Sequence, residues 1–213
     1  FIKGNIALTK VDEDYPDNKL SGAVFEVYSD TNGDGKLDKD DTLLGEMKEL
    51  DGGVYQMSEL RYGKYLVKET KAPTGFVLDE DVYAVSIEEN GKTYTVENKA
   101  GVGFINAAQK GSLKIVKTSS DGKVEGFSFR VTGVDYDQTF KTDKNGEIVI
   151  EGLRIGDYTV SEVSDKASAG YILPADKQAT VKVNDTAIVQ MHNEFRDTPK
   201  TGDDFNLGLW VSL

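Results

Sequence analysis

The sequence predicts an all-β chain built as two tandem antiparallel β-sandwich domains of about 100 residues each. Three observations carry that prediction. Runs of four to eight residues rich in Val, Ile, Thr, Tyr and Phe alternate with NG, DG and GG steps, the mark of strands joined by tight turns. Helical periodicity is scarce: LLGEMKEL (43 to 50) is the one segment whose Leu43, Met47 and Leu50 suit a helix, and Gly45 weakens it. The chain also repeats itself. NIALTKVD (5 to 12) resembles GSLKIVKTSSD (111 to 121), and LSGAVFEVYS (20 to 29) resembles VEGFSFRVTG (124 to 133). GGVYQMSELRYGKYLVKETKAPTGFVL (52 to 78) then matches NGEIVIEGLRIGDYTVSEVSDKASAGYIL (145 to 173) in the same order. The copies meet near AAQKG (107 to 111), giving one domain over 1–109, a second over 110–196 and a tail over 197–213.

Composition narrows the function classes. A length of 213 residues suits one or two domains with cores of their own. Ten Tyr and nine Phe argue against wholesale disorder. With 25 Lys+Arg against 37 Asp+Glu the formal net charge is −12, which argues against nucleic acid as a partner and favours cations or a solvated exterior. There is no cysteine, so disulfides cannot staple the chain in any compartment. No charged and apolar leader opens the sequence, and the apolar FNLGLWVSL (205 to 213) is far shorter than the roughly 20 residues of a membrane span. The chain reads as a fragment of something longer.

The first strand, NIALTKVD, carries the first chemical signal. Strand residues two apart share a face, so Lys10 lies on the apolar face of Ile6 and Leu8. GAVFEVYS follows as a strand, and after it comes an acidic loop. In SDTNGDGKLDKDD (29 to 41), positions 1, 3, 5, 7, 9 and 12 of an EF-hand-like calcium loop fall on Asp30, Asn32, Asp34, Lys36, Asp38 and Asp41. Gly35 sits at the sharp turn of position 6, and Lys36 offers only its carbonyl. Hard oxygen ligands at this spacing predict Ca²⁺, with affinity lowered by Asp41 standing where Glu is usual. Lys10 to Glu69 spans 59 residues against 45 from Lys117 to Glu162, so the first copy holds 14 more, about the loop's length. The loop is therefore expected as an insertion between strands.

In KYLVKET, Glu69 shares its face with Tyr65 and Val67, and in GVGFIN, Asn106 shares its face with Val102 and Phe104. The second copy repeats all three positions: Lys117 with Leu113 and Ile115, Glu162 with Tyr158 and Val160, Asn193 with Val189 and Met191. Buried Lys and Glu are rare unless they serve each other. An amine deep in an apolar site has its pKa pushed down and becomes a nucleophile, while a carboxyl there keeps its proton. Such an acid can polarise the Asn carboxamide and shuttle protons as the amine attacks and ammonia leaves. The expected product is a Lys–Asn amide cross-link, formed once per domain without turnover. Asn98 in TVENKAG competes with Asn106 for this role, and Asn106 is preferred because it precedes the next copy much as Asn193 precedes the tail.

On these residues both copies resemble the collagen-adhesin B-type, or SpaA-type pilin, domains of Gram-positive surface proteins, which have an Ig-like or prealbumin-like sandwich. The resemblance implies isopeptide bonds between Lys10 and Asn106 assisted by Glu69, and between Lys117 and Asn193 assisted by Glu162. ETKAPTGF after Glu69 is similar to the family's E-x-x-A-P-x-G-aromatic stretch, whereas EVSDKASAGY has no Pro there. TPKTGD (198 to 203), with Thr198, Pro199, Lys200, Thr201 and Gly202, is similar to the L-P-x-T-G signal that sortase cleaves between Thr and Gly. Thr198 stands in place of Leu, and FNLGLWVSL resembles the start of the membrane segment such precursors carry. YPDNK (15 to 19) lacks the polymerising lysine of a backbone pilin motif. The implied protein is a non-enzymatic stalk, extracellular and anchored to the cell wall. Its partners would be sortase and peptidoglycan or another pilin subunit. The alternative is a carbohydrate- or host-matrix-binding adhesin module. A single histidine, His192, leaves one possible base for hydrolytic chemistry, and it alternates onto the face opposite Asn193.

Overall fold

The computed structural model describes residues 1–196. The chain divides into two compact units, the first ending at Lys110 and the second beginning at Gly111. Every regular element among the described residues is a strand.

The first unit holds β1 (Lys3–Asp12), β2 (Val24–Ser29), β3 (Thr42–Glu46), β4 (Lys48–Asp51), β5 (Val54–Arg61), β6 (Gly63–Lys71), β7 (Val82–Ile87), β8 (Thr93–Thr95) and β9 (Phe104–Asn106). One sheet runs β4-β5-β1-β8 with β9 also on β1, and the other runs β3-β2-β6-β7. The second unit holds β10 (Lys110–Ser119), β11 (Ser128–Gly133), β12 (Tyr136–Lys141), β13 (Glu147–Arg154), β14 (Gly156–Val163), β15 (Tyr171–Ile172), β16 (Lys177–Val181) and β17 (Thr186–Phe195). Its sheets run β13-β10-β17-β15 and β12-β11-β14-β16. The predicted pair of sandwiches is what forms. Inward faces alternate as the sequence does: Ile6, Leu8, Phe25, Val27, Tyr65 and Val67 fill one core, and Leu113, Ile115, Phe129, Val131, Tyr158 and Val160 the other.

Within these largely antiparallel sheets, the first and last strands of each unit are parallel neighbours. β1 pairs β8 and β9 in parallel, and β10 pairs β17 in parallel. Parallel neighbours need a crossover, here supplied by the whole intervening domain. The consequence is chemical, because the carboxyl ends of the first and last strands finish at the same end of the sandwich.

LLGEMKEL is extended, split between β3 and β4, where its spacing had suited a helix. Met47 turns into the core and its N–H donates to the Phe25 carbonyl at 2.8 Å, while Leu43, Leu44 and Leu50 stay exposed. Pairing with β2 and β5 outweighs local helical preference, and Gly45 takes φ 137° beside a register shift in β2.

Candidate functional site

Each domain gathers a lysine, a glutamate and an asparagine at one end of its core. In the first, Lys10 follows Ile6 and Leu8 on the inward stripe of β1, which Asp12 continues, and it lies opposite Phe104 in the parallel register, so Asn106 is two residues on and shares its face. In the second, Lys117 lies opposite Met191, and Asn193 is again two residues on. The glutamates come from the facing sheets: Glu69 pairs with Phe25 across β6 and β2, and Glu162 with Phe129 across β14 and β11. Lys10, Glu69, Asn106, Lys117 and Asn193 are each at most 3% exposed, and Glu162 is half-buried.

Asn106 Nδ2 donates to both Glu69 oxygens, at 3.1 and 2.9 Å. Asn193 Nδ2 donates to Glu162 Oε1 at 2.7 Å. The hydrogen bonds of the amines go to backbone carbonyls: Lys10 Nζ to Phe104 at 3.0 Å and Lys117 Nζ to Thr118 at 2.5 Å. Aromatic rings line both amines, with Phe104 centred 5.2 Å from Lys10 Nζ and Phe127 centred 4.3 Å from Lys117 Nζ. The lysine backbones are matched too. Lys10 N–H donates to Gly53 O and Lys117 N–H to Gly146 O, both at 2.7 Å, from glycines in the left-handed region at φ 89° and 78°.

Burial moves these groups towards neutrality. Desolvation lowers the Lys10 pKa to about 8 against the opposing pull of Glu69, Asp79 and Asp12. Lys117 is lowered for the same first reason, against Glu162 and Asp121. Glu69 and Glu162 are raised above the usual carboxylate range, again chiefly by desolvation. The carbonyl oxygens Asn106 Oδ1 and Asn193 Oδ1 are buried without a hydrogen-bond partner. An amine and a carboxyl each pushed towards their neutral forms beside an unpartnered amide carbonyl are the ingredients of amide exchange.

Asn98 is engaged elsewhere. Its Nδ2 donates to Asp79 Oδ2 at 2.7 Å and to Ile105 O at 2.8 Å, and its Oδ1 accepts the Ile105 N–H at 2.6 Å. It clamps the segment between β8 and β9. Asp79 also accepts the Tyr83 hydroxyl at 2.8 Å, and its backbone N–H donates to Glu69 Oε2 at 2.8 Å. Sequence reasoning did not single out Asp79. The signal was present: GFVLD (75 to 79) aligns with GYILP (170 to 174), which sets Asp79 against Pro174.

The acidic loop joins β2 to β3 as twelve residues, 30–41, where β11 and β12 are joined by two, Val134 and Asp135. It is therefore an insertion into a hairpin. Asp30 accepts the N–H groups of Gly33 and Gly35 at 2.7 and 3.1 Å, and Asp41 those of Thr31 and Asp38 at 3.0 and 2.9 Å. Asn32 Nδ2 donates to Asp38 at 3.1 Å, Asp34 accepts the Lys36 N–H at 2.9 Å, and Lys64 Nζ donates to Gly33 O at 3.0 Å. Among the described residues no three acidic or histidine side chains converge at metal-binding distance. The loop's oxygens are turned to its own backbone.

His192 faces outward. Its Nδ1 meets Thr118 Oγ1 at 2.8 Å and its Nε2 meets Glu194 Oε1 at 3.1 Å, a hydroxyl–imidazole–carboxylate chain on open sheet surface. With the histidine and glutamate side chains 50% and 64% exposed, nothing there excludes water. Thr198, Pro199, Lys200, Thr201 and Gly202 lie outside the described residues.

The family model for the SpaA prealbumin-like fold domain matches residues 4–100 and 111–195. Among solved structures, the Bacillus anthracis TIE protein is 26% identical at a TM-score of 0.67, over 92% of this chain and 34% of that one. This chain thus spans about a third of that protein's length. The C-terminal fragment of the pilus adhesin SpaC from Lactobacillus rhamnosus GG is 13% identical at a TM-score of 0.53, over 92% and 98% of the two chains. GBS52, the minor pilin of Streptococcus agalactiae, is 16% identical at a looser TM-score of 0.41, over 92% and 98%. A comparison with curated proteins returns no match.

Proposed function

The chain belongs to the SpaA family of prealbumin-like domains, and from that premise we propose that it is a stalk segment of a Gram-positive cell-wall surface protein or pilin subunit, self-locked by one Lys–Asn isopeptide bond in each domain. The observation that carries this reading is the twice-built site, in which first-strand lysine and last-strand asparagine share a face two residues apart in parallel register and the asparagine bonds a glutamate.

The step balances without an added reagent. The neutral lysine nitrogen attacks the asparagine Cγ, the new C–N bond forms, the Cγ–Nδ2 bond breaks, and ammonia leaves. One proton passes from the lysine nitrogen to the departing nitrogen through the glutamate carboxyl. Turning the Asn106 amide over exchanges Oδ1 and Nδ2 and sets Oδ1 within reach of Glu69, 2.9 Å from Oε2. A protonated Glu69 then donates to that oxygen, which satisfies the buried carbonyl and makes its carbon electrophilic. The same turn serves Asn193 and Glu162.

The bond's position suits a load-bearing role. Force applied at the two ends of a domain enters through the first strand and leaves through the last, so a covalent link between them lets tension bypass the core. A chain without cysteine has no disulfide to do the same. Tryptic mapping tests the assignment: joined peptides holding Lys10 with Asn106 and Lys117 with Asn193 are expected, and linear peptides at these positions would refute it.

Two further parts of the reading are Ca²⁺ in the loop through Asp30, Asn32, Asp34, the Lys36 carbonyl, Asp38 and Asp41, and sortase attachment to peptidoglycan or a second pilin subunit through residues 198–202. The loop's oxygen-rich donor set fits a hard cation, but the ion must displace Asp30 and Asp41 from backbone N–H groups. Binding weak enough for an extracellular site, at about 10⁻⁴–10⁻³ M, follows.

A further inference from the structure

Resting on the cross-linking reading, a difference between the two sites concerns one backbone proton. The Asp79 N–H donates to Glu69 Oε2 at 2.8 Å. The aligned residue in the second domain is Pro174, which has no N–H, and Glu162 Oε2 is buried without a hydrogen-bond partner. The other groups facing the two carboxyls correspond, except that Asn106 Nδ2 also donates to Glu69 Oε2 while Asn193 Nδ2 donates to Glu162 Oε1 alone. Lys10 and Asn106 face Glu69 from β1 and β9, and Lys117 and Asn193 face Glu162 from β10 and β17. An aspartate lies near each, Asp79 in the first site and Asp165 in the second. Asp79 is itself bonded to Tyr83 and Asn98, and Asp165 to Ser128.

We propose that the residue at this position sets the alkaline limit of each cross-linking reaction: the Asp79 N–H holds Glu69 towards its carboxylate, and Pro174 leaves Glu162 free to keep its proton to higher pH. The reacting acid must carry a proton to donate to the asparagine carbonyl and to hand one to the departing nitrogen. A backbone donor on Oε2 stabilises the form that lacks this proton, so it works against the acid. Burial raises both carboxyls, and only in the first domain does a backbone N–H oppose it. Asp79 and Pro174 are positioning residues, since neither touches the bond that forms. One such donor moves a carboxyl by about one pH unit. Above both limits, the second domain's bond forms about tenfold faster relative to its own plateau than the first's.

The test uses the full chain, synthesised into denaturant so that neither bond has formed. It is diluted into buffers from acid to alkaline pH and quenched over time. Joined peptides from each domain are then counted by mass. The second domain's alkaline limb is expected about one unit above the first's. Pro174→Ala restores an N–H and should bring the second limb down towards the first. Asp79→Pro should raise the first limb, and Asp79→Asn, which keeps the N–H, should not raise it. Coincident limbs in the parent chain, a Pro174→Ala limb that stays in place, or a raised Asp79→Asn limb would overturn the proposal. Failure of either domain to cross-link at any pH overturns the cross-linking reading itself, and this inference with it.

Discussion

In the second domain the last strand runs unbroken for ten residues as β17, whereas in the first it is cut into two three-residue pieces, β8 and β9, with residues 96–103 looped out between them. Both domains nevertheless hold lysine and asparagine in the same offset, Lys10 opposite Phe104 and Lys117 opposite Met191. What fixes the site is thus the three residues that end in the asparagine, 104–106 in β9 and 191–193 in β17, and the stripe behind them. β9 is short enough to need other anchors. Phe104 supplies one, packing edge-to-face on Phe25 and Tyr83 with ring centres 4.9 and 5.2 Å away, and the Asn98 clamp on Ile105 supplies another. The β2–β3 connection makes the same point. A twelve-residue loop replaces a two-residue turn without shifting the β2–β6 register near Glu69 beyond one irregularity, because loop-closure cost grows only slowly with length.

If the two sites are equivalent, breaking each should cost the same. Lys10→Arg and Lys117→Arg should each leave one cross-link unformed. The closed loops span 96 residues (106 − 10) and 76 (193 − 117), for which the chain-entropy treatment of a covalent link gives ~4–5 kcal/mol each. Denaturant unfolding of each variant measures this, and a loss confined to one domain breaks the comparison. The supporting glycines come next. A Cβ on Gly53 would lie 2.8 Å from Leu20 O, and one on Gly146 would lie 2.7 Å from Val124 Cβ, both at positive φ. Gly53→Ala and Gly146→Ala should each cost ~1–3 kcal/mol, read as lowered melting of the affected domain.

The pH dependence sharpens the comparison at its acid side. On the cross-linking proposal the nucleophile is the neutral amine, so protonation below its pKa removes it. With Lys10 at about 8 and Glu69 needed with its proton, first-domain bond formation should slow by about tenfold per pH unit once the pH lies below the pKa of both groups. Timed quenching of the freshly diluted chain reads it, and a flat profile from neutral to acid pH would contradict it. Calcium gives the smallest effect and should separate the domains. Ion at ten times its Kd should stabilise the first domain by about 1.4 kcal/mol and leave the second unmoved. Asp30→Ala should abolish the difference, and calorimetry with and without the ion decides it.

The sandwiches and the residues at their ends were legible because strand alternation is strict at these positions. Lys10, Glu69 and Asn106 each continue an apolar stripe, and a second copy in the same phase makes chance agreement improbable. The insertion was legible by comparing lengths between copies. LLGEMKEL was the one segment whose spacing also suited a helix, because its apolar residues serve two short strands, one inward at Met47 and the rest exposed, and a period of that kind imitates a helix over eight residues. Asn98 could not be separated from Asn106 by pattern alone. Its role follows from hydrogen bonds to Ile105 and Asp79 that depend on how the loop between β8 and β9 folds back. The Asp79 N–H was easy to miss for a related reason, since backbone donors carry no side-chain signature and only Pro174 in the other copy marks the position.

The central claim is that both domains complete the same covalent step, and the intact mass of the purified chain tests it most directly. The account predicts a mass below the sequence value by two molecules of ammonia, falling to one in Lys10→Arg or in Lys117→Arg and to none in the double variant. A chain whose mass equals that of its sequence, or one short by a single ammonia before any substitution, would contradict it.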